Sequence, residues 1–267
     1  MPGPSAARSP ITSEHRLPTL LIADDDAAFR ELLALQLAEH FTVIGLAAGV
    51  DEAIALGAEQ RPDVALVGMQ MPADGGIRIT RALRTQAPDT AIVAVSDDES
   101  DGQVRDVIAS GAMTYLRKGL SRSELALALL EAASAATHGG HRPSVLIADD
   151  DADLRELLAM QLAKHFTVVA TAADAEEAIR LAVEHRPDVA VVDMQMPGGG
   201  GLRATRELHR RTPATAVVAL SGDESDALVR EVITGGATRY LRKGIARADL
   251  ALALRGAIGA HGRLQDR

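Results

Sequence analysis

The stretch VAVVDMQMP (189–197) decides how this chain is read, because VALVGMQMP (64–72) repeats it with Gly68 in the place of Asp193. The offset is 193 − 68 = 125, and it also relates Asp24 to Asp149, Ser96 to Ser221 and Lys118 to Lys243. A period of that length is too long for a solenoid unit, so each copy is expected to fold as a domain of its own. The 267 residues fit two such domains.

Working outward, each copy alternates short apolar runs with longer amphipathic segments, the pattern of a parallel sheet covered by helices on both faces. In the second copy the expected strands are VLIAD (145–149), FTVVAT (166–171), DVAVVD (188–193), AVVAL (216–220) and ATRYL (237–241). Their unbroken apolarity suits strands buried on two sides. Between the first two, Leu154, Leu157, Leu158 and Leu162 recur at helical spacing, as do Phe29, Leu32, Leu33 and Leu37 in the first copy. Five strands and five helices are expected per copy. Asp26 and Asp151 stand where helix N-caps belong, and His40 and His165 stand at helix ends that favour a positive charge.

The expected organisation is a disordered tail over 1–18, a domain over 19–137, a linker over 138–143, a second domain over 144–262 and a tail over 263–267. ATHGGHRPS (136–144) carries the Gly and Pro punctuation of a linker, in which His138 and His141 lack the further ligands a metal needs. Composition narrows the function. With 28 Lys plus Arg against 37 Asp plus Glu, a net charge of −9 argues against a sequence-independent nucleic-acid surface. The absence of cysteine excludes disulfides and thiol nucleophiles and suits a cytoplasmic protein. No apolar run approaches the roughly 20 residues of a membrane span.

In an open parallel sheet the ligand site lies beyond the carboxyl ends of the strands, so residues just after each strand converge. In the second copy these are Asp149, Asp150 and Asp151, then Asp193, Ser221 and Lys243. Crowded carboxylates call for a cation, and Mg²⁺ prefers oxygen ligands. Acids, a hydroxyl and a lysine describe a site for Mg²⁺ and a phosphoryl group, and a carboxylate can itself attack phosphorus. The run Gly198 to Gly201 lacks the Lys-Ser or Lys-Thr of a phosphate-binding loop and is expected as a flexible loop.

The order of these residues resembles the receiver domain of two-component response regulators over nearly all of 19–137 and 144–262. That resemblance implies two tandem flavodoxin-like, doubly wound α/β domains, each with a five-stranded parallel sheet of order 2-1-3-4-5 and helices on both faces. It implies Asp193 as phosphoacceptor, with Asp149, Asp150, Asp193 and the Gln195 backbone carbonyl as Mg²⁺ ligands. Ser221, Lys243 and Tyr240 would sense the phosphate. Both copies depart from the family where Lys118-Gly119 and Lys243-Gly244 stand in place of Lys-Pro, which predicts a looser or differently shaped loop. The first copy matches at Asp24, Asp25, Ser96, Lys118 and Tyr115, but Gly68 can neither attack phosphorus nor ligate metal. Asp63 lies at the wrong end of the strand to substitute, Asp74 is a remote candidate, and Asp97 adds a carboxylate where the second copy has Gly222. Lys118 is expected to pair with Asp24 or Asp25 and to hold this half in one conformation.

The expected function is that of a non-enzymatic response regulator, with no DNA-binding or enzymatic output module in this chain. It would take a phosphoryl group from a sensor histidine kinase or phosphotransfer protein and signal to a downstream protein target. The expected signalling surface is helix four, strand five and helix five of the second domain. Homodimerisation is left open. The alternatives are a Mg²⁺-dependent phosphohydrolase using an aspartyl nucleophile, against which Gln195 stands where a second acid is usual, and a scaffold with both sites idle.

Overall fold

The computed structural model describes residues 16–97, 101–138, 142–197, 200–222 and 225–265. In the first half β1 (Thr19–Ala23), α1 (Ala27–Leu37), β2 (Thr42–Ala47), α2 (Val50–Gln60) and β3 (Val64–Gly68) are followed by α3 (Gly75–Gln86), β4 (Ala91–Ser96), α4 (Asp101–Ser110), β5 (Thr114–Arg117) and α5 (Arg122–His138). The second half repeats the series. It runs β6 (Ser144–Ala148), α6 (Ala152–Leu162), β7 (Thr167–Ala172), α7 (Ala175–His185), β8 (Val189–Asp193), α8 (Gly200–Arg211), β9 (Ala216–Ser221), α9 (Asp226–Thr234), β10 (Arg239–Arg242) and α10 (Arg247–Gln265).

Each half contains one parallel five-stranded sheet, in the orders β2-β1-β3-β4-β5 and β7-β6-β8-β9-β10. This is the doubly wound order, and its reversal between β1 and β3, or β6 and β8, opens a crevice at the carboxyl edge. The strand apolarity is continuous because alternate residues feed cores on opposite faces. Leu20, Ile22, Leu66 and Val93 pack with α1 and α5 on one face, while Leu21, Val67, Ile92 and Ala94 pack with Ile79 and Leu83 of α3 on the other. With few aromatics, Phe41 and Phe166 are the largest fully buried side chains.

Several local expectations meet their physical reasons here. Asp26 Oδ1 accepts from the Phe29 amide at 3.1 Å, and Asp151 Oδ1 accepts from Asp153 and Leu154 at 3.0 and 3.1 Å, so both acids cap their helices. Of the glycine run expected as a loop, Gly200 and Gly201 instead open α8, and 198–199 lie outside the described residues. A side chain on Gly201 would overlap the Asp193 carbonyl, so glycine lets the helix start directly against the end of β8. Helix α10 continues through Gln265, over part of the expected tail, and α5 ends at His138. The expected N-terminal tail falls mainly on residues 1–15, and most of the expected linker on 139–141, outside the described residues.

His40 does not act as a positive cap. Burial lowers its pKa, Arg122 and Arg239 lower it further, and Glu39 opposes them only in part. The surroundings of His40 therefore oppose the positive charge that its place after α1 favours. Among the described residues, no helix is long and apolar enough to cross a membrane.

Candidate functional site

In the second half, β6 delivers Asp149 and β8 delivers Asp193 to the same end of the sheet, side by side because β6 and β8 are paired in parallel. Asp149 Oδ1 accepts the Asp151 amide at 3.0 Å, and Asp193 Oδ1 accepts the Gln195 amide at 3.2 Å. These bonds turn the two Oδ2 atoms towards Lys243, whose Nζ lies 3.0 Å from Asp149 and 2.9 Å from Asp193. Both aspartates are 1% exposed. Their Oδ2 atoms have no well-aligned hydrogen bond beyond this ion contact. Asp150, exposed at the mouth, brings a third carboxylate, and ligand oxygens of Asp149, Asp150 and Asp193 lie within 4.8 Å of one another.

The charges do not balance. Burial pushes the Asp193 carboxyl above the usual carboxylate range and Asp149 adds to it, against the opposing pull of Lys243 and the Gln195 amide. Lys243 loses hydration by burial, yet its bonds to Asp193 and Asp149 lift its pKa above the ordinary lysine value. One ammonium thus serves two buried carboxylates and leaves negative charge over. Buried carboxylate oxygens that share a single ammonium, with excess negative charge in a set of oxygen ligands, fit a hard divalent cation such as Mg²⁺.

Ser221 ends β9, fully buried, and the Lys243 amide donates to its carbonyl at 2.8 Å. Tyr240 of β10 packs with Ala219, Leu228 and Val232 beneath α9. Gly119 and Gly244, after the two lysines, have φ of 93° and 89°. Glycine adopts that region freely and proline cannot, so the loop takes a different shape from one built on Lys-Pro.

In the first half the same elements deliver Asp24, Ser96 and Lys118, but the arrangement closes on itself. Asp24, 2% exposed, swings over Gly68 into the space a longer side chain would need, and its Oδ2 pairs with Lys118 Nζ at 3.1 Å. One carboxylate now meets one ammonium. Phe29, whose counterpart is Leu154, lies under the same ammonium, with Nζ 4.4 Å from the ring centroid. Gln103, whose counterpart is Leu228, ties two further groups together. Its Oε1 accepts from Ser96 Oγ at 3.2 Å and lies 3.5 Å from the Tyr115 hydroxyl.

Asp25 stays exposed, as does Asp97. Asp63 sits at the opposite end of the strand and caps β1, its Oδ2 accepting from Thr19 N and Oγ1, both at 2.7 Å. Asp74 precedes α3 in a left-handed conformation, with φ of 52°. Phe29 was read only as an apolar residue at helical spacing and Gln103 was not singled out, because each looks like ordinary helix composition. The repeat offset itself marks them, since both differ from an aliphatic counterpart.

The pattern of the family described as "Response regulator receiver domain" matches residues 20–130 and again 145–255. The chain belongs to the response regulator receiver family. The two matches coincide with the two sheets, so both halves are receivers. Response regulator GacA of Pseudomonas viridiflava is 38% identical over 113 residues, 42% of this chain and 53% of that protein. Oxygen regulatory protein NreC of Staphylococcus epidermidis is 38% identical over 114 residues, 42% and 52% of the respective chains. The chain spans about half the length of these curated relatives. Among solved structures, a LuxR-family two-component response regulator from Aurantimonas sp. SI85-9A1 is 30% identical, covering 44% of this chain and 85% of its own, with a TM-score of 0.42. The response regulator domain of Thermotoga maritima CheB is 27% identical over 44% of this chain and 97% of that one, with a TM-score of 0.41.

Proposed function

We propose that the second receiver accepts a phosphoryl group on Asp193 and that the first receiver is a degenerate, state-locked partner. The carrying observation is the contrast at one strand end. Asp193 and Asp149 share Lys243 in the second half, whereas in the first Asp24 fills the place of the missing residue and takes the lysine alone.

In the proposed transfer an oxygen of Asp193 attacks phosphorus of a phosphohistidine, a P–O bond forms, the P–N bond breaks, and the imidazole nitrogen leaves with the electron pair. The product is an acyl phosphate. Lys243 would neutralise phosphoryl oxygens, and the Ser221 hydroxyl would donate to one of them. Asp149, Asp150, Asp193 and the Gln195 carbonyl are the residues that would hold Mg²⁺, which supplies charge neutralisation on the transferring group when bound. The donor would be a sensor histidine kinase or phosphotransfer protein.

Output would pass through protein contact. Of the expected output surface, α10 is already covered by α5 of the first receiver, so the nearest reader lies within the chain. The proposed compartment is the cytoplasm. The experiment follows product with time from a small phosphodonor and Mg²⁺. Uptake that stops at stoichiometric protein label supports a receiver, while sustained release of phosphate from unrelated phosphate esters would indicate a phosphohydrolase.

A further inference from the structure

The two receivers meet through an exchange of leucines. Leu127 of α5 is buried in the second receiver's core with Leu250 and Leu254, and Leu252 of α10 is buried in the first receiver's core with Leu125 and Leu129. Since 252 − 127 = 125, the same position of the repeat crosses the seam in both directions. The polar rim breaks this symmetry. On one side Glu131 of α5 reaches His165 Nδ1 at 2.5 Å and stands 3.9 Å from Arg255. On the other side the counterpart of Glu131 is Gly256, and the carboxylate felt by His40, the counterpart of His165, is that of its neighbour Glu39, which pairs with Arg122. Arg239 lies over Gly256, its Nη2 3.3 Å from where a Cβ would stand, and its charge is felt by His40 of the first receiver.

Arg239 is the first residue of β10, an edge strand held by β9 alone. Four residues later comes Lys243, bound to Asp149 and Asp193. A single extended stretch therefore joins the pocket to the seam. On the other side of the seam, the first receiver's pocket is closed by Asp24, Lys118 and Phe29, and its Ser96 and Tyr115 share Gln103.

We infer that the α5–α10 seam is an internal readout surface, at which the first receiver senses phosphorylation of the second through β10. The inference rests on the reading of Asp193 as phosphoacceptor. Phosphorylation replaces one carboxylate partner of Lys243 with a larger, more anionic group set further out, and Lys243 follows it. Its strand moves with it and Arg239 shifts at the seam. A change of contact at the seam requires that the two states of the pocket differ in their interaction with it, and the coupling is then reciprocal.

The test uses the full chain with Mg²⁺ and beryllofluoride as a phosphoryl stand-in. Fluorine-19 NMR reports the bound probe, and spin labels at Gln60→Cys and His185→Cys report the distance between receivers in a chain that has no other cysteine. The expected results are a displaced distance distribution when the probe binds, and loss of that displacement in Arg239→Gln with the probe still bound. By reciprocity, Leu127→Ala and Gly256→Glu change the probe's affinity in opposite directions, by about five-fold or more, although Leu127 belongs to the other receiver. A bound probe with unchanged distances and affinities overturns the inference and leaves the phosphoacceptor reading standing. Failure of the wild-type chain to bind the probe overturns both.

Discussion

Asp24 occupies the space above Gly68: a Cβ built on that glycine would stand 2.8 Å from Asp24 Cγ and closer still to Oδ2. Asp24 thus fills the space that corresponds to the Asp193 side chain of the second receiver, and Lys118 stays paired in a pocket with one carboxylate fewer.

Gly68→Asp is expected to lower stability by about 1–3 kcal/mol without divalent ion, because the new side chain overpacks the pocket and sets a second buried carboxylate against Asp24. Mg²⁺ should restore part of the loss, since a third acid then joins Asp24 and Asp25. Thermal unfolding with and without Mg²⁺ checks this, and a variant as stable as wild type without metal would show that Asp24 does not hold the gap.

Asp193→Asn should stabilise the metal-free chain at neutral pH. Burial raises the Asp193 pKa, so between the ordinary carboxylate value and the raised one the folded state binds more protons than the unfolded state. Wild-type stability therefore falls as pH rises through that window, whereas asparagine carries no such charge. The advantage of the variant should shrink as pH falls and Asp193 is protonated, which a series of denaturant midpoints would reveal.

The sheet order followed from the resemblance to receiver domains, and the convergence of Asp149, Asp150, Asp193 and Lys243 was legible in the sequence because strand-end residues of a parallel sheet must share one edge. Strand limits fell within two residues of those observed. The N-caps at Asp26 and Asp151 were legible for the same local reason. The seam was not. Leu127 and Leu252 look like core residues of their own helices, and periodicity cannot say whose core a leucine enters. His40 was read from its position at a helix end, but its surroundings come from Arg122 and from Arg239 in the other half, about 200 residues away in the chain.

His40 predicts acid sensitivity. Its lowered pKa means that the unfolded chain binds more protons below the ordinary histidine value of about 6.5, so stability is lost as pH falls through that region. His40→Gln should flatten this part of the pH profile, measured by thermal unfolding from neutral to mildly acidic buffer. An unchanged slope would mean that His40 is not the titrating group.

Gly256→Glu should strengthen the seam, since it restores the carboxylate that Glu131 supplies on the other side and places it beside Arg239. Removing glycine from a helix interior adds about 0.5–1 kcal/mol. Gly256→Ala isolates that helix contribution, and the difference between the two variants in unfolding free energy measures the carboxylate.

The central claim is that Asp193, with no counterpart in the first receiver, takes the phosphoryl group. Intact mass measurement after incubation with acetyl phosphate and Mg²⁺ tests it most directly. The account predicts one added phosphate per chain, abolished in Asp193→Asn and retained in Asp24→Asn. Two phosphates per chain, or a label that survives Asp193→Asn, would contradict it.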